Sequence, residues 1–192
     1  MRTQLLLCSA ALFAALLAPS ASWAEPQTRS ANGQPKNLIA PQRGARACFS
    51  RSYDARHLQT HPDQTVTHMD LRLAYSEELS DARRGPVYDF QLLVRFRGRS
   101  DRRPLSAAGE CTPSNDGKSM WCGVECDGGG VVVRQRSGGK LLVDLAATGR
   151  IRLSDACAED DEEGIELLPG KDDKTFLLEK SAASQCPPPE KW

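Results

Sequence analysis

From Thr65 onward the chain alternates. Thr65, Thr67, Met69, Leu71, Leu73 and Tyr75 share one parity, while Val66, His68, Asp70, Arg72 and Ala74 share the other. That period of two predicts a strand with one apolar and one mostly polar face. Tyr88, Phe90, Leu92, Val94 and Phe96 repeat the pattern against Asp89, Gln91, Arg95 and Arg97, and this is the clearest strand in the sequence. Shorter strands are predicted over 105–111, 119–126, 131–136, 140–146, 150–153 and 174–179, with one more near Ile165. Glycine-rich turns separate them: Asp127-Gly128-Gly129-Gly130, Ser137-Gly138-Gly139 and Pro169-Gly170. Ser52 is expected to cap a short helix that runs to His61, because Pro62 discourages its continuation. Short strands joined by tight turns define an all-β fold, mainly an antiparallel barrel or sandwich of about 7–8 strands with one short N-terminal helix.

The start of the chain follows a different rule. Arg2, an apolar run from Leu5 to Ala18, and a small-residue exit at Ser22-Trp23-Ala24 have the layout of a secretory signal peptide cleaved after residue 24. The run is too short for a hydrocarbon core that takes about 20 residues to cross. No later segment approaches that length, so the expectation is a chain without a membrane span, soluble after cleavage and periplasmic or secreted. Residues 25–44, rich in proline, glutamine and asparagine with no apolar period, read as a disordered leader. A single β-rich domain is expected over 45–186, with an extended Pro-rich tail over 187–192.

Export changes how the cysteines are read. With Cys8 removed, Cys48, Cys111, Cys122, Cys126, Cys157 and Cys186 remain, an even set in an oxidising compartment. Cys122 and Cys126 on one strand would lie about 13 Å apart, which excludes a bridge between them. Centring a two-residue hairpin on Asp116-Gly117 sets Cys111 opposite Cys122 and predicts that pair, although Pro113 weakens the register. Cys48 and Cys186 bracket the domain, so a long-loop staple between them is the next expectation, leaving Cys126 with Cys157.

Composition narrows function without naming it. Losing Arg2 leaves 24 basic against 25 acidic side chains, a net charge near −1 that does not point to nucleic acid. Twelve arginines and no lysine lie between 43 and 103, while nine carboxylates and one lysine lie between 155 and 173. Both runs read first as solvated faces.

His57 and His61 are four residues apart, the spacing of two metal ligands on one helical face, and they are the candidate metal residues. Oxidised cysteines cannot complete such a set, and His61 sits before a proline. Asp160, Asp161, Glu162 and Glu163 offer oxygens for calcium but lack the spacing of an EF-hand loop. Arg95, Arg97, Arg99, Arg102 and Arg103 are the candidate anion-binding residues, with an anionic glycan, lipid head group or acidic protein as partner in preference to nucleic acid. Gly117-Lys118-Ser119 ends like a phosphate loop, but Thr112 occupies the place of its first glycine. No nucleophile elbow or zinc-protease motif occurs, and a triad of dispersed Ser, His and Asp has no sequence signature.

The stretch from Cys48 to Thr67, with Cys122-Gly-Val-Glu-Cys-Asp-Gly-Gly-Gly130 and Leu168-Pro-Gly-Lys-Asp-Asp173, resembles a group of small exported bacterial proteins of uncharacterised function. The resemblance covers roughly residues 48 to 186 and implies a bacterial envelope location and a single domain. It implies no catalytic residue and no cofactor. The expected role is therefore a non-catalytic binding module for an envelope protein, a glycan or a small ligand. A metal-binding role through His57 and His61 is the alternative, and a hydrolase with dispersed residues a third.

Overall fold

The computed structural model of the chain describes residues 38–99, 104–114, 119–154 and 164–189. The expected signal peptide (1–24), most of the expected leader, Arg102, Arg103, Asp116 and Gly117, Cys157, the acidic run 159–163 and residues 190–192 lie outside them.

Among the described residues, ten strands and one short α-helix follow in order: β1 (Arg46–Ser52), α1 (Ala55–Thr60), β2 (Val66–Asp81), β3 (Gly85–Phe96), β4 (Leu105–Pro113), β5 (Ser119–Val124), β6 (Gly130–Gln135), β7 (Leu141–Asp144), β8 (Ile151–Leu153), β9 (Ile165–Leu167) and β10 (Thr175–Lys180). Eight of these close an antiparallel barrel in the order β1-β10-β7-β6-β5-β4-β3-β2, and β8 with β9 forms a separate two-stranded sheet. The choice between barrel and sandwich thus resolves to a barrel. β2 through β7 are an up-and-down meander, so every pairing among them is local in sequence. β10 then joins β7 across the β8–β9 excursion, and its seam with β1 joins the two ends of the barrel sequence.

The period of two explains which way each side chain faces. Leu71 lies opposite Leu92, and Leu73 opposite Phe90. Leu92 in turn faces Ala107, and Phe90 faces Gly109. All these large apolar side chains are buried. Eight strands leave an interior just wide enough for side chains to fill, and large residues alternate with small ones to fit it. Gly109 shows the limit: a Cβ there would fall 2.1 Å from the Gly123 carbonyl oxygen, so the close approach of the β5 backbone requires a residue with none. The opposite parity carries Asp70, Arg72, Asp89, Gln91 and Glu110 on the outer wall. Polar residues outside and apolar ones inside reverse the arrangement of a lipid-facing barrel. No helix among the described residues is long and apolar enough to cross a membrane.

Both ends of the barrel are covered. Leu145, Ile151, Leu153 and Leu167 from the β7–β8–β9 region are buried, and the Gly130 and Arg152 amides donate to Arg150 and Gly128 carbonyls that tie β8 to the start of β6. At the other end Leu38 is only 6% exposed, and the Tyr88 hydroxyl donates to the Ile39 carbonyl at 3.5 Å. The Leu38-Ile39 segment, expected to belong to the disordered leader, therefore packs on the barrel, because it is an apolar pair that the open end can bury.

Two further differences from the sequence reading have clear causes. The segment before α1 is a strand, not a helix start: Ala47 and Phe49 point inward while Cys48 faces out beneath the C-terminal segment. The cap of α1 is Asp54, whose carboxylate accepts from the His57 amide at 2.7 Å, so Ser52 is left to end β1. β2 also runs on to Asp81 through a polar stretch without alternation, carried by its pairing with β3.

Two disulfides are at bonding distance. Cys111 and Cys122 lie opposite each other on β4 and β5, with Cα atoms 4.0 Å apart, and face the barrel interior. Cys48 on the outer side of β1 joins Cys186, with Cα atoms 5.4 Å apart, and straps the C-terminal segment across the wall. The Arg46 Nε donates to the Cys186 carbonyl at 3.2 Å and extends that strap. Cys126 is exposed in a left-handed turn after β5, and its expected partner Cys157 lies outside the described residues.

Candidate functional site

The seam is the shortest pairing in the barrel wall. β1 and β10 pair over Phe49–Lys180 and Ser50–Glu179 and then part, because β1 turns away toward α1 while β10 stays with β7. A cleft of about 360 Å³ opens there, lined by Arg51, Tyr53, His57, His61, Gln64, Lys140, Asp172, Thr175 and Leu177.

Its wall is a stack of planar groups. The Arg51 guanidinium lies 5.3 Å from the centre of the Tyr53 ring. Tyr53 packs on His57 at 4.7 Å between centroids, and His57 stacks on His61 at 4.1 Å with planes 10° apart. Helical spacing produces the last contact, since residues four apart lie above one another. Burial pushes the Tyr53 hydroxyl above the ordinary tyrosine value; Arg51 opposes that shift and Asp173 adds to it. Tyr53 is therefore a neutral phenol at the cleft.

Hydrogen bonds set the imidazole tautomers. Gln64 donates its amide to the Val66 carbonyl at 2.7 Å, which turns its oxygen toward His57 Nε2 at 3.0 Å, so that nitrogen carries the proton. His61 Nδ1 donates to the His57 carbonyl at 2.9 Å. His57 Nδ1 and His61 Nε2 are left as acceptors. Their lone pairs lie in the ring planes, and nearly parallel stacked planes do not meet at one ion held about 2.0–2.1 Å from each nitrogen. The expected metal pair is brought together in space but aimed apart, and among the described residues no group of three His, Cys, Asp or Glu could hold a metal ion.

One side of the cleft mouth carries Lys140, whose Nζ donates to Glu179 at 2.9 Å and holds that exposed carboxylate below its ordinary range. Leu177, 41% exposed, offers an apolar patch beside it. Below them Asp173, 1% exposed, accepts from the Thr65 amide at 2.7 Å, the Thr65 hydroxyl at 2.6 Å and the Val66 amide at 3.4 Å. This clamp fixes the loop before β10 to the start of β2, and so sets the two sides of the cleft relative to each other.

Of the candidate arginines, Arg95, Arg97 and Arg99 are described. Arg97 spends its guanidinium on the carbonyls of Leu58 (3.0 Å), His61 and Pro62 (both 3.3 Å), closing the C-terminal end of α1. Its role is structural, a use that strand parity alone does not reveal. Arg95 projects from the outer wall opposite His68, and Arg99 is exposed beyond the end of β3. Arg51, not among the candidate anion-binding residues, lines the cleft. Sequence spacing does not single it out, because its neighbourhood is created by the seam.

A second cleft, of about 400 Å³, lies at the far end between Arg43–Arg46, Ala74–Glu78, Asp89 and the Pro188-Pro189 pair. Partial burial raises Asp89 above the ordinary carboxylate value; a Ser76 hydrogen bond opposes this, and Glu110 and Glu78 add to it. Its charges are mixed in sign, and Arg43 pairs with Glu77 across it at 3.4 Å.

Fold and cleft together define a filled, disulfide-bridged eight-stranded antiparallel barrel with a polar, aromatic-walled cleft at its seam. Compared with family models, curated proteins and solved structures, the chain matches none.

Proposed function

We propose that this chain is an exported binding module of the bacterial cell envelope, without catalysis at its cleft, and that its ligand sits in the seam cleft. The signal-peptide layout and two disulfides in a single domain support an oxidising compartment, in keeping with the resemblance to small exported bacterial proteins. A ligand inside the barrel is disfavoured, because the interior is occupied by Phe49, Leu71, Phe90, Leu92 and Phe176 and both ends are covered. The observation that carries the reading is the Arg51–Tyr53–His57–His61 stack. It presents one fixed cation, a neutral phenol and two imidazole acceptors beside an exposed leucine. Such a wall suits a small polar ligand with an anionic group and one apolar face, such as an acidic sugar or an organic acid.

The test is a thermal-shift and calorimetry panel of uronic acids, sulfated sugars and organic acids against the wild type and Arg51→Glu. At least one compound is expected to stabilise the wild type, with affinity falling tenfold or more in Arg51→Glu while the unliganded melting temperature stays the same. No stabilising compound in the panel, or equal binding by both proteins, would overturn the reading.

A further inference from the structure

We propose that Ser52 is an acyl-transfer nucleophile, activated by His68 and Asp70, on the outer wall of the barrel. The three side chains form a continuous relay. Ser52 Oγ lies 2.7 Å from His68 Nδ1, and His68 Nε2 lies 2.9 Å from Asp70 Oδ2. A carboxylate can only accept from the ring, so Nε2 carries the proton and Nδ1 is the bare nitrogen facing the serine hydroxyl. Nucleophile, base and orienting carboxylate thus stand in the mutual geometry that general-base activation of a serine requires.

The sheet explains why the three meet. Ser52 is directly opposite His68, and Asp70 follows two residues later on the same outer face of β2, opposite Ser50. Cross-strand partners and same-face neighbours are the pairs that a strand pair brings within side-chain reach. The register of β2 against β3 slips between Val66 and His68, so a bulge at Thr67 sits immediately beside the base, the kind of distortion that re-aims a side chain. Exposure fits the roles: Ser52 is open to solvent, whereas the His68 and Asp70 side chains are only 24% and 32% exposed. Arg95, opposite His68 on β3, is exposed and makes no ion pair among the described residues, so its charge is available to a developing oxyanion. Neither histidine of the cleft takes part, and the relay stands or falls independently of the cleft ligand.

The chemistry balances with water as the second reactant. Ser52 Oγ bonds to the ester carbonyl carbon while His68 Nδ1 takes the hydroxyl proton. The tetrahedral adduct collapses, the ester C–O bond breaks, and the departing alcohol takes that proton. Water, deprotonated by His68, then attacks the acyl carbon; the acyl–Oγ bond breaks, Ser52 Oγ takes the proton back from His68, and the carboxylic acid leaves. An open wall does little to select the acyl group, so the substrate class is small, unhindered carboxylic esters.

The test uses the purified, oxidised protein with an alkyl fluorophosphonate and with p-nitrophenyl acetate. Intact mass and peptide mapping are expected to show a single phosphonyl adduct on Ser52, formed as the P–F bond breaks and fluoride leaves. Labelling and ester turnover are expected to vanish in Ser52→Ala and to fall about 100-fold in His68→Gln. Asp70, a positioning residue, should lose tenfold or more as Asp70→Asn and regain most of that as Asp70→Glu, with urea midpoints unchanged throughout. An unlabelled wild type, an adduct mapped elsewhere, or His68→Gln reacting at the wild-type rate would overturn the proposal. Mapping on the wild type keeps the test decisive even for a variant that folds poorly.

Discussion

Replacing Cys48 and Cys186 together by alanine is expected to cost about 5 kcal/mol of folding stability, whereas replacing Cys111 and Cys122 costs about 3 kcal/mol. The two bridges differ in the loop they close: 138 residues separate Cys48 from Cys186, and 11 separate Cys111 from Cys122. Cross-linking the longer loop removes more conformational freedom from the unfolded chain, so its loss is the more costly. Structure adds to the difference. β4 and β5 are already held by their own ladder, so the short bridge reinforces a local hairpin. The long bridge joins the C-terminal segment to β1, beside a seam that pairs over only two positions. A domain of this size has about 5–15 kcal/mol in total, so losing the long bridge removes a large share of it. Urea unfolding of the two double variants measures both losses. A reversed order, or a loss below about 1 kcal/mol for the Cys48/Cys186 pair, contradicts the assignment of the long bridge as the main staple.

Asp173→Ala is expected to cost about 3 kcal/mol, and Asp172→Ala less than about 0.5 kcal/mol. The two aspartates are adjacent in sequence and opposite in burial. Asp173 accepts from three donors, two of them backbone amides at the start of β2, and its removal leaves the half-buried Thr65 amide and the buried Val66 amide without that acceptor. Asp172 accepts one long bond of 3.3 Å from the Asp63 amide at an exposed position, where water replaces it readily. Asp173→Asn should fall between the two, since an amide keeps one accepting oxygen but loses the charge. Because Asp173 sets β10 against β2, its loss should also loosen Tyr53 and weaken any ligand of the cleft. Denaturant midpoints for the three variants check the ranking; equal midpoints for Asp172→Ala and Asp173→Ala would refute the clamp.

Much of the barrel was legible in the sequence because its longest strands alternate strictly. Leu71, Leu73, Phe90 and Leu92 announce β2 and β3 by parity alone, and the register read from Asp-Gly spacing agrees with the β4–β5 ladder that places Cys111 opposite Cys122. β1 was hidden because it buries only Ala47 and Phe49 by alternation, while its third buried residue, Cys48, faces the opposite way toward the strap. Closure of the barrel was illegible for a related reason. It depends on a short pairing between residues 49–50 and 179–180, which no local pattern encodes.

The candidate site divides along the same line. His57 and His61 could be singled out from spacing, but their stacked orientation depends on Gln64 and on the helix carbonyl that His61 binds. Arg51, Lys140, Asp172 and Leu177 become neighbours only when the seam forms, so their sequence positions carry no shared signal. The Ser52–His68–Asp70 relay crosses two strands, and only the His68/Asp70 half, two residues apart on one face, was visible in advance.

The central claim, an exported barrel held by the Cys48–Cys186 and Cys111–Cys122 disulfides, is tested most directly by one mass-spectrometric experiment. Cells expressing the full chain are treated with an alkylating agent before lysis, and the protein is mapped without reduction. The expected result is a chain beginning at Glu25, with peptides linking Cys48 to Cys186 and Cys111 to Cys122 and no alkyl label on these four residues. A chain that still begins at Met1, or alkylated Cys48, Cys111, Cys122 and Cys186, would contradict it.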